Sequence, residues 1–210
     1  MSDAQLDALE RLSPSWLVPV GERFIDPVEV FGRRAPLVVE IGFGMGTTTV
    51  AQAVSDPATD VLAIDVHTPG VASLLVSGEQ AGVTNVRVVH GDAVEVVEQM
   101  LAPESVTGVR AYFPDPWPKA KHRKRRLIQP DFVALLVSTL TPGGFIHCAT
   151  DVAGYADQMV EVLDAHPELV NPFQGLAPGR LDRPATKFER RALARGHPIS
   201  DVWVTRRLTS

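Results

Sequence analysis

A chain of 210 residues, 45% of them hydrophobic, can bury one good core, so a single domain over 1–210 is expected: an N-terminal helical or irregular segment over 1–36, then a sheet with its helices over 37–210. Its one cysteine, Cys148, excludes an internal disulfide framework and suits a reducing compartment, and no apolar run approaches the roughly eighteen residues of a membrane span. Taken alone, the net charge of −5 argues against nucleic acid, yet residues 119–126 carry +6 and leave −11 for the rest; a polyanion would be oriented at one place and released steeply by salt.

The opening MSDAQLDALERL lacks a basic region followed by an apolar core, so no secretory leader is expected, and the protein reads as soluble and cytoplasmic with no membrane partner. Residues 4–12 have a short helical pattern that Pro14, Trp16 and Pro19 should break. From Leu37 the alternation becomes regular. LVVEI (37–41) predicts a strand, Gly42 to Gly46 a turn and 47–54 a helix; VLAID (61–65), a helix over 71–81, VRVVH (86–90), a helix over 93–101 and VRAYF (109–113) continue the series. PDFVALLVSTL (130–140) is an amphipathic helix closed by Thr141-Pro142-Gly143-Gly144, FIHCAT (145–150) is a strand and 154–165 a helix. Such alternation defines βαβ units and a mostly parallel sheet. DVWVTRRL (201–208) alternates like a strand with no crossover helix close before it, which makes it antiparallel.

Glu40-Ile41-Gly42-Phe43-Gly44-Met45-Gly46 follows the first strand and opens a helix. Glycines let a backbone approach a ligand closely, and a helix amino end favours an anion. The dinucleotide fingerprint G-x-G-x-x-G is not met, because Thr47 stands where its last glycine belongs. A carboxylate at Glu40 would repel a pyrophosphate and suits the positive amino group of S-adenosylmethionine. Asp65, 19 residues after Gly46, ends the second strand and can accept both hydroxyls of a ribose, or cap the turn Val66-His67-Thr68-Pro69. Asp92 ends the third strand and can accept from an adenine amino group, or cap the following helix. Three acids and three glycines at three successive strand ends point to an S-adenosylmethionine site.

The densest chemistry lies in YFPDPWPKAKHRKRRL (112–127). Pro114, Pro116 and Pro118 each fix their own φ and discourage helix before them, so the loop is stiff and extended and Asp115 is held in place. The preceding strand puts Asp115 beyond a strand's carboxyl end, where ligands bind in open α/β sheets. Lys119, Lys121, Arg123, Lys124, Arg125 and Arg126 are phosphate partners beside it, and Trp117 can stack on a base or pack on its own loop.

On these residues the chain resembles the bacterial tRNA (guanine-N7)-methyltransferases from about Gln5 to Arg207. FPDPWPK (113–119) with its HRKRRL tail carries the likeness most specifically, then TKFE (186–189), then VEIGFGMG (39–46). The resemblance implies an α/β class I S-adenosylmethionine-dependent methyltransferase (Rossmann-like) fold, with a mostly parallel seven-stranded sheet and an antiparallel C-terminal strand. It also implies methylation at N7 of a guanine of the tRNA variable loop, position 46. By position, Glu40, Asp65, Asp92 and Asp115 match cofactor contacts with the loop Gly42, Gly44 and Gly46, and Asp115 matches the catalytic acid. Lys119, Asp151, Thr186, Lys187, Phe188 and Glu189 match substrate contacts, and Lys121, His122, Arg123, Lys124, Arg125 and Arg126 match the RNA-binding segment. Departures are Asp65, where members often have Glu; Arg190-Arg191 after TKFE, where Arg-Gly often follows at once; and the basic arm that members often carry before the stretch that here is AQLDALERL. Composition alone makes 180–195 an irregular surface segment, and Asp151 would be equally at home as a helix N-cap.

The six histidines show no metal-ligand spacing, so no metal is expected. Nothing in the sequence requires a protein partner, and a monomer or homodimer is expected. A methyltransferase of small molecules leaves the basic run unexplained, and a non-catalytic RNA binder leaves the three strand-end acids unexplained.

Overall fold

The computed structural model describes residues 1–208, in two compact units that meet in sequence after Ala102. The first unit holds α1 (Asp3–Trp16), α2 (Pro27–Phe31), β1 (Leu37–Ile41), α3 (Thr47–Ser55), β2 (Asp60–Asp65), α4 (Thr68–Gln80), β3 (Val86–His90) and α5 (Ala93–Met100). The second holds β4 (Val106–Tyr112), a 3-10 turn (Ala120–Arg125), α6 (Pro130–Thr139), β5 (Leu140–Thr150), α7 (Ala153–Asp164), β6 (Leu169–Val170), α8 (Lys187–Ala194) and β7 (Ser200–Arg206). The strands form a seven-stranded sheet of order β3-β2-β1-β4-β5-β7-β6. Its β1–β2, β2–β3 and β4–β5 pairs are parallel, whereas β7 runs antiparallel to β5 and β6. Among the described residues no helix is long and apolar enough to cross a membrane.

In the first unit, Val61 to Ile64 are all buried, as expected of a strand covered on both faces. Val61, Ala63, Val86 and Val88 pack with Ala8 and Leu12 of α1, Val50 and Ala53 of α3, and Val71, Leu74 and Leu75 of α4. Leu17 then forms a parallel bridge to Val88, and the Val18 N–H donates to the Val88 carbonyl at 2.8 Å. This covers the backbone edge of β3.

Three local expectations are corrected. Helix α1 continues through Pro14, because the proline falls in its last turn, where the missing N–H leaves one bond unmade, and the Leu17 N–H closes the helix on the Ser13 carbonyl at 2.9 Å. Thr141-Pro142-Gly143-Gly144 is not a separate turn but lies within β5. The register passes from Val106–Leu140 to Gly108–Phe145, and Gly143 takes φ +79° to absorb the extra residues. The segment expected to be irregular contains α8, whose amino end is capped by the Thr186 hydroxyl accepting from the Glu189 N–H at 3.0 Å.

Phe145 explains why position 108 is glycine. Its ring stacks on Trp203 with centroids 4.4 Å apart, and a Cβ at Gly108 would lie 2.2 Å from Phe145 Cε1. Gly108→Ala should therefore destabilise the protein by about 1–3 kcal/mol through overpacking, read from urea unfolding. An unchanged midpoint would show that the Phe145 ring is free to move aside.

Candidate active site

In the first unit, the loop between β1 and α3 explains its own glycine spacing. Gly42, Gly44 and Gly46 have φ of +73°, +60° and +74°, a region where a side chain is strained, so every second residue must lack one. The Gly42 N–H donates to the Ile64 carbonyl at 2.8 Å and the Gly46 N–H to the Phe43 carbonyl at 3.0 Å. Asp65 ties the loop to the end of β2: one carboxylate oxygen accepts from the Gly44 N–H at 2.8 Å and the other from the His67 N–H at 2.9 Å. The turn-capping reading is met through His67, and each carboxylate oxygen keeps a further lone pair. Asp92 caps α5, its Oδ1 accepting from Val94 and Glu95 N–H groups, while the exposed carboxylate keeps a second oxygen. Glu40 is buried on β1, 3% exposed.

This set fits S-adenosylmethionine. A Cβ at Gly42 would stand in open space, so the loop offers bare backbone there. Carboxylates at three strand ends match an ammonium group, two ribose hydroxyls and an exocyclic amine. Gly70 is a member of the loop's support that sequence reading missed. A Cβ there would lie 2.0 Å from the Gly44 carbonyl oxygen, so α4 can approach the loop only with glycine at this position. The Ser73 hydroxyl adds a bond to the Met45 carbonyl at 3.0 Å.

In the second unit, Asp115 is exposed on the loop after β4. Prolines alone do not shape that loop. Phe113 and Trp117, each immediately before a proline, have φ of +56° and +39°, so the chain kinks twice instead of running extended. Each kink has a buried arginine beside it. On the near side, the Phe113 N–H extends the β4–β5 ladder to the Ala149 carbonyl at 2.7 Å, its ring stacks on Phe188 at 6.4 Å, and the Arg183 guanidinium lies 5.6 Å from the ring centroid. On the far side, Arg126 Nε donates to the Pro116 carbonyl at 2.8 Å.

Arg126 was expected to contact RNA, and the structure corrects this. It is 3% exposed, donates to the Gly154 carbonyl and to Gln158 Oε1 at 2.9 and 2.7 Å, and lies over the Tyr155 ring. The other cations of the run, Lys119, Lys121, Arg123, Lys124 and Arg125, are exposed. Trp117 packs on its own loop, with the Arg125 guanidinium 5.0 Å from its ring centroid and the His122 ring edge-on at 5.9 Å.

Arg183 anchors a buried network. Its Nε and Nη2 donate to the two oxygens of Asp201 at 2.6 and 2.8 Å, and its Nη1 donates to Glu189 at 2.5 Å. His147 Nε2 donates to Asp201 Oδ1 at 2.8 Å, and in the neutral ring this leaves Nδ1 to accept from the Tyr112 hydroxyl at 3.2 Å. Glu189, expected as a substrate contact, therefore points inward to Arg183, and Arg180 reaches its other oxygen. Thr186 is spent on the cap, whereas Lys187 and Phe188 are exposed. Asp151 does not cap α7, which has no side-chain cap; the Thr150 hydroxyl accepts from the N–H of Val152 just before the helix, and Asp151 lies 3.9 Å from His197. Arg183 and Asp201 escaped the sequence reading, although Thr-x-x-Glu at 186–189 is the capping-box pattern that announces α8. Burial pushes the Cys148 thiol up to about 12, so it is no nucleophile at neutral pH. Among the described residues no group of three or more His, Cys, Asp or Glu is placed to hold a metal.

The strand order, the antiparallel β7 and a glycine loop after β1 with acids ending β2 and β3 define a class I S-adenosylmethionine-dependent methyltransferase fold. Solved structures agree on the fold. A 16S rRNA (adenine(1408)-N(1))-methyltransferase from Catenulisporales acidiphilia, determined with S-adenosylmethionine, matches 87% of this chain and 92% of its own at TM-score 0.59 and 16% identity. An rRNA methylase from Streptococcus thermophilus matches 82% and 87% at TM-score 0.54 and 13% identity. A family model described as "Putative methyltransferase" matches residues 34–202. The tRNA (guanine-N(7)-)-methyltransferase of Paraburkholderia xenovorans is 54% identical over 96% of this chain and 78% of its own length, and that of Bordetella pertussis 51% over 98% and 81%. The chain belongs to the tRNA (guanine-N(7)-)-methyltransferase family.

Two predictions arise here. Gly70→Ala improves helix propensity, yet it should weaken S-adenosylmethionine binding at least about tenfold by calorimetry, because the new Cβ displaces the Gly44 carbonyl; unchanged affinity would show that this carbonyl position is irrelevant. The second concerns acid stability. Burial alone would raise the Asp201 carboxyl, but hydrogen bonds from Arg183 and His147 outweigh it and hold the pKa below its usual 3.8. A depressed carboxyl stabilises the fold above that value and loses its contribution as the pH falls below it. Asp201→Asn should cost about 3–5 kcal/mol near neutral pH by leaving Arg183 buried with an incomplete set of partners, and the gap from wild type should narrow in acid. A gap independent of pH would contradict this.

Proposed function

We propose that Asp115 receives the target guanine while Glu40, Asp65, Asp92 and the Gly42–Gly46 loop hold the cofactor, in transfer of a methyl group from S-adenosylmethionine to N7 of a guanine in tRNA. The observation that carries this reading is an exposed carboxylate on a loop fixed by a buried arginine on either side, directly before five exposed cations. Bound at the glycine loop, S-adenosylmethionine supplies an electrophilic methyl on a sulfonium.

Guanine N7 has a free lone pair at neutral pH, so no base has to remove a proton before the new bond forms. The chain's work is then positioning and charge. Asp115 accepts from the N1 and N2 hydrogens of the unstacked guanine and favours the positive charge that develops on its ring. Adenine offers no such pair of donors on that edge, so the same carboxylate rejects it. Arg126 and Arg183 act at one remove, as positioning residues that keep the acid where the base arrives. Lys119, Lys121, Arg123, Lys124 and Arg125 grip phosphates, Lys187 and Phe188 line the approach of the substrate, and Asp151 contributes beside them. The reaction belongs in the cytoplasm, and the guanine is that of the variable loop, position 46.

Asp115→Asn keeps shape and removes the charge. Labelled methyl transfer to bulk tRNA at saturating substrate should fall on the order of a hundredfold or more. Near-normal turnover of this variant would eliminate Asp115 from the role assigned.

A further inference from the structure

Helix α8 buries only Glu189 and Ala192 and turns its remaining side chains outward. Lys187, Arg191 and Arg195 recur at every fourth position, so they lie one above another on a single face, with Arg190 beside them. Like charges at that spacing destabilise a helix. Arg191 and Arg195, near the carboxyl end, gain from the helix dipole, but Lys187 at the amino end opposes it. Intramolecular acids do not resolve the stripe: in the second unit Arg180, Arg183 and Arg206 pair with carboxylates, whereas among the described residues none of Lys187, Arg190, Arg191 and Arg195 does, and Arg190 donates one N–H to the Ala185 carbonyl at 2.8 Å. The one acid on the helix, Glu189, is already neutralised by Arg183.

A second observation gives the stripe a direction. Phe188, 57% exposed, stacks on Phe113, two residues before Asp115. The charged face of α8 therefore begins at the loop that carries the acid, and an aromatic surface stands between them.

We infer that α8 is a second RNA-contact surface, distinct from the basic run at 119–125, on which Arg190, Arg191 and Arg195 hold the phosphates of the single-stranded segment flanking the target guanine. A strand leaving the Asp115 loop meets Phe188, where a flanking base stacks, and then the cation stripe, which follows its backbone. This rests on the proposed methylation of tRNA and adds the path taken by the rest of the strand. It also gives a use to Arg190-Arg191, where the family's motif often continues Arg-Gly.

The test is the salt dependence of tRNA binding. Each phosphate contact contributes roughly 0.7–0.9 to the slope of log affinity against log salt. The variant Arg190→Gln, Arg191→Gln, Arg195→Gln should lose about two units of slope and bind at least about tenfold more weakly at physiological salt. The same three positions changed to Lys should keep the slope, which a merely structural role would not require. Should the triple variant fail to fold, as judged by its thermal melt, Arg191→Gln alone should lower the slope by about one contact. A slope equal to wild type in the glutamine variant, or lost equally in the lysine variant, would overturn the inference. Wild-type protein that binds tRNA without methylating it would overturn the catalytic reading alone; wild-type protein that does not bind would overturn both.

Discussion

Two buried guanidinium groups, Arg126 and Arg183, determine where the chain can place Asp115. Neither is in water, so each must find acceptors inside the protein, and the acceptors it finds lie at the two kinks of the same loop or on the elements beside it. Arg126 takes the carbonyl of Pro116 together with Gly154 and Gln158 on α7. Arg183 satisfies Asp201 and Glu189 and lies against the rings of Tyr112 and Phe113. The kinks at Phe113 and Trp117 are conformations that a residue before proline rarely adopts, and a surrounding structure must hold them. The three prolines limit how the loop can move; the arginines select the shape it has.

The same arrangement divides the cations of the second unit into two kinds that share a composition. Arg126, Arg183 and Arg206 are satisfied by protein carbonyls and carboxylates. Among the described residues, the exposed members of the basic run and of α8 pair with no carboxylate, and Arg190 alone of them donates to a carbonyl, that of Ala185 at 2.8 Å. The net charge of −5 conceals this, because it counts buried and exposed cations alike. Glu189 shows the reverse for acids: a carboxylate that sequence position assigns to the substrate is used to orient α8 and with it Phe188.

What was legible in the sequence was local. The alternation of strand and helix patterns gave the longer strands and their directions, though not the first five residues of β5, and the glycines at Gly42, Gly44 and Gly46 match the positive φ that these three alternate positions take. What was hidden depends on residues far apart. Asp201 lies 18 positions from Arg183, and Gly70 is explained only by a carbonyl 26 residues earlier. Arg126 looks like the five cations before it until its burial is known. A charge run signals exposure, and its last member breaks that rule because Tyr155 and the α7 amino end lie over it.

Arg126→Lys separates positioning from RNA grip most directly, since lysine keeps the charge but cannot reach Pro116, Gly154 and Gln158 with one planar fork. With tRNA binding and single-turnover methyl transfer measured on the same protein, the transfer rate should fall by about tenfold to a hundredfold, while affinity and its salt slope stay at wild-type values. Unchanged transfer with weakened, less salt-sensitive binding would mean that Arg126 serves a phosphate and that Asp115 is placed by other means.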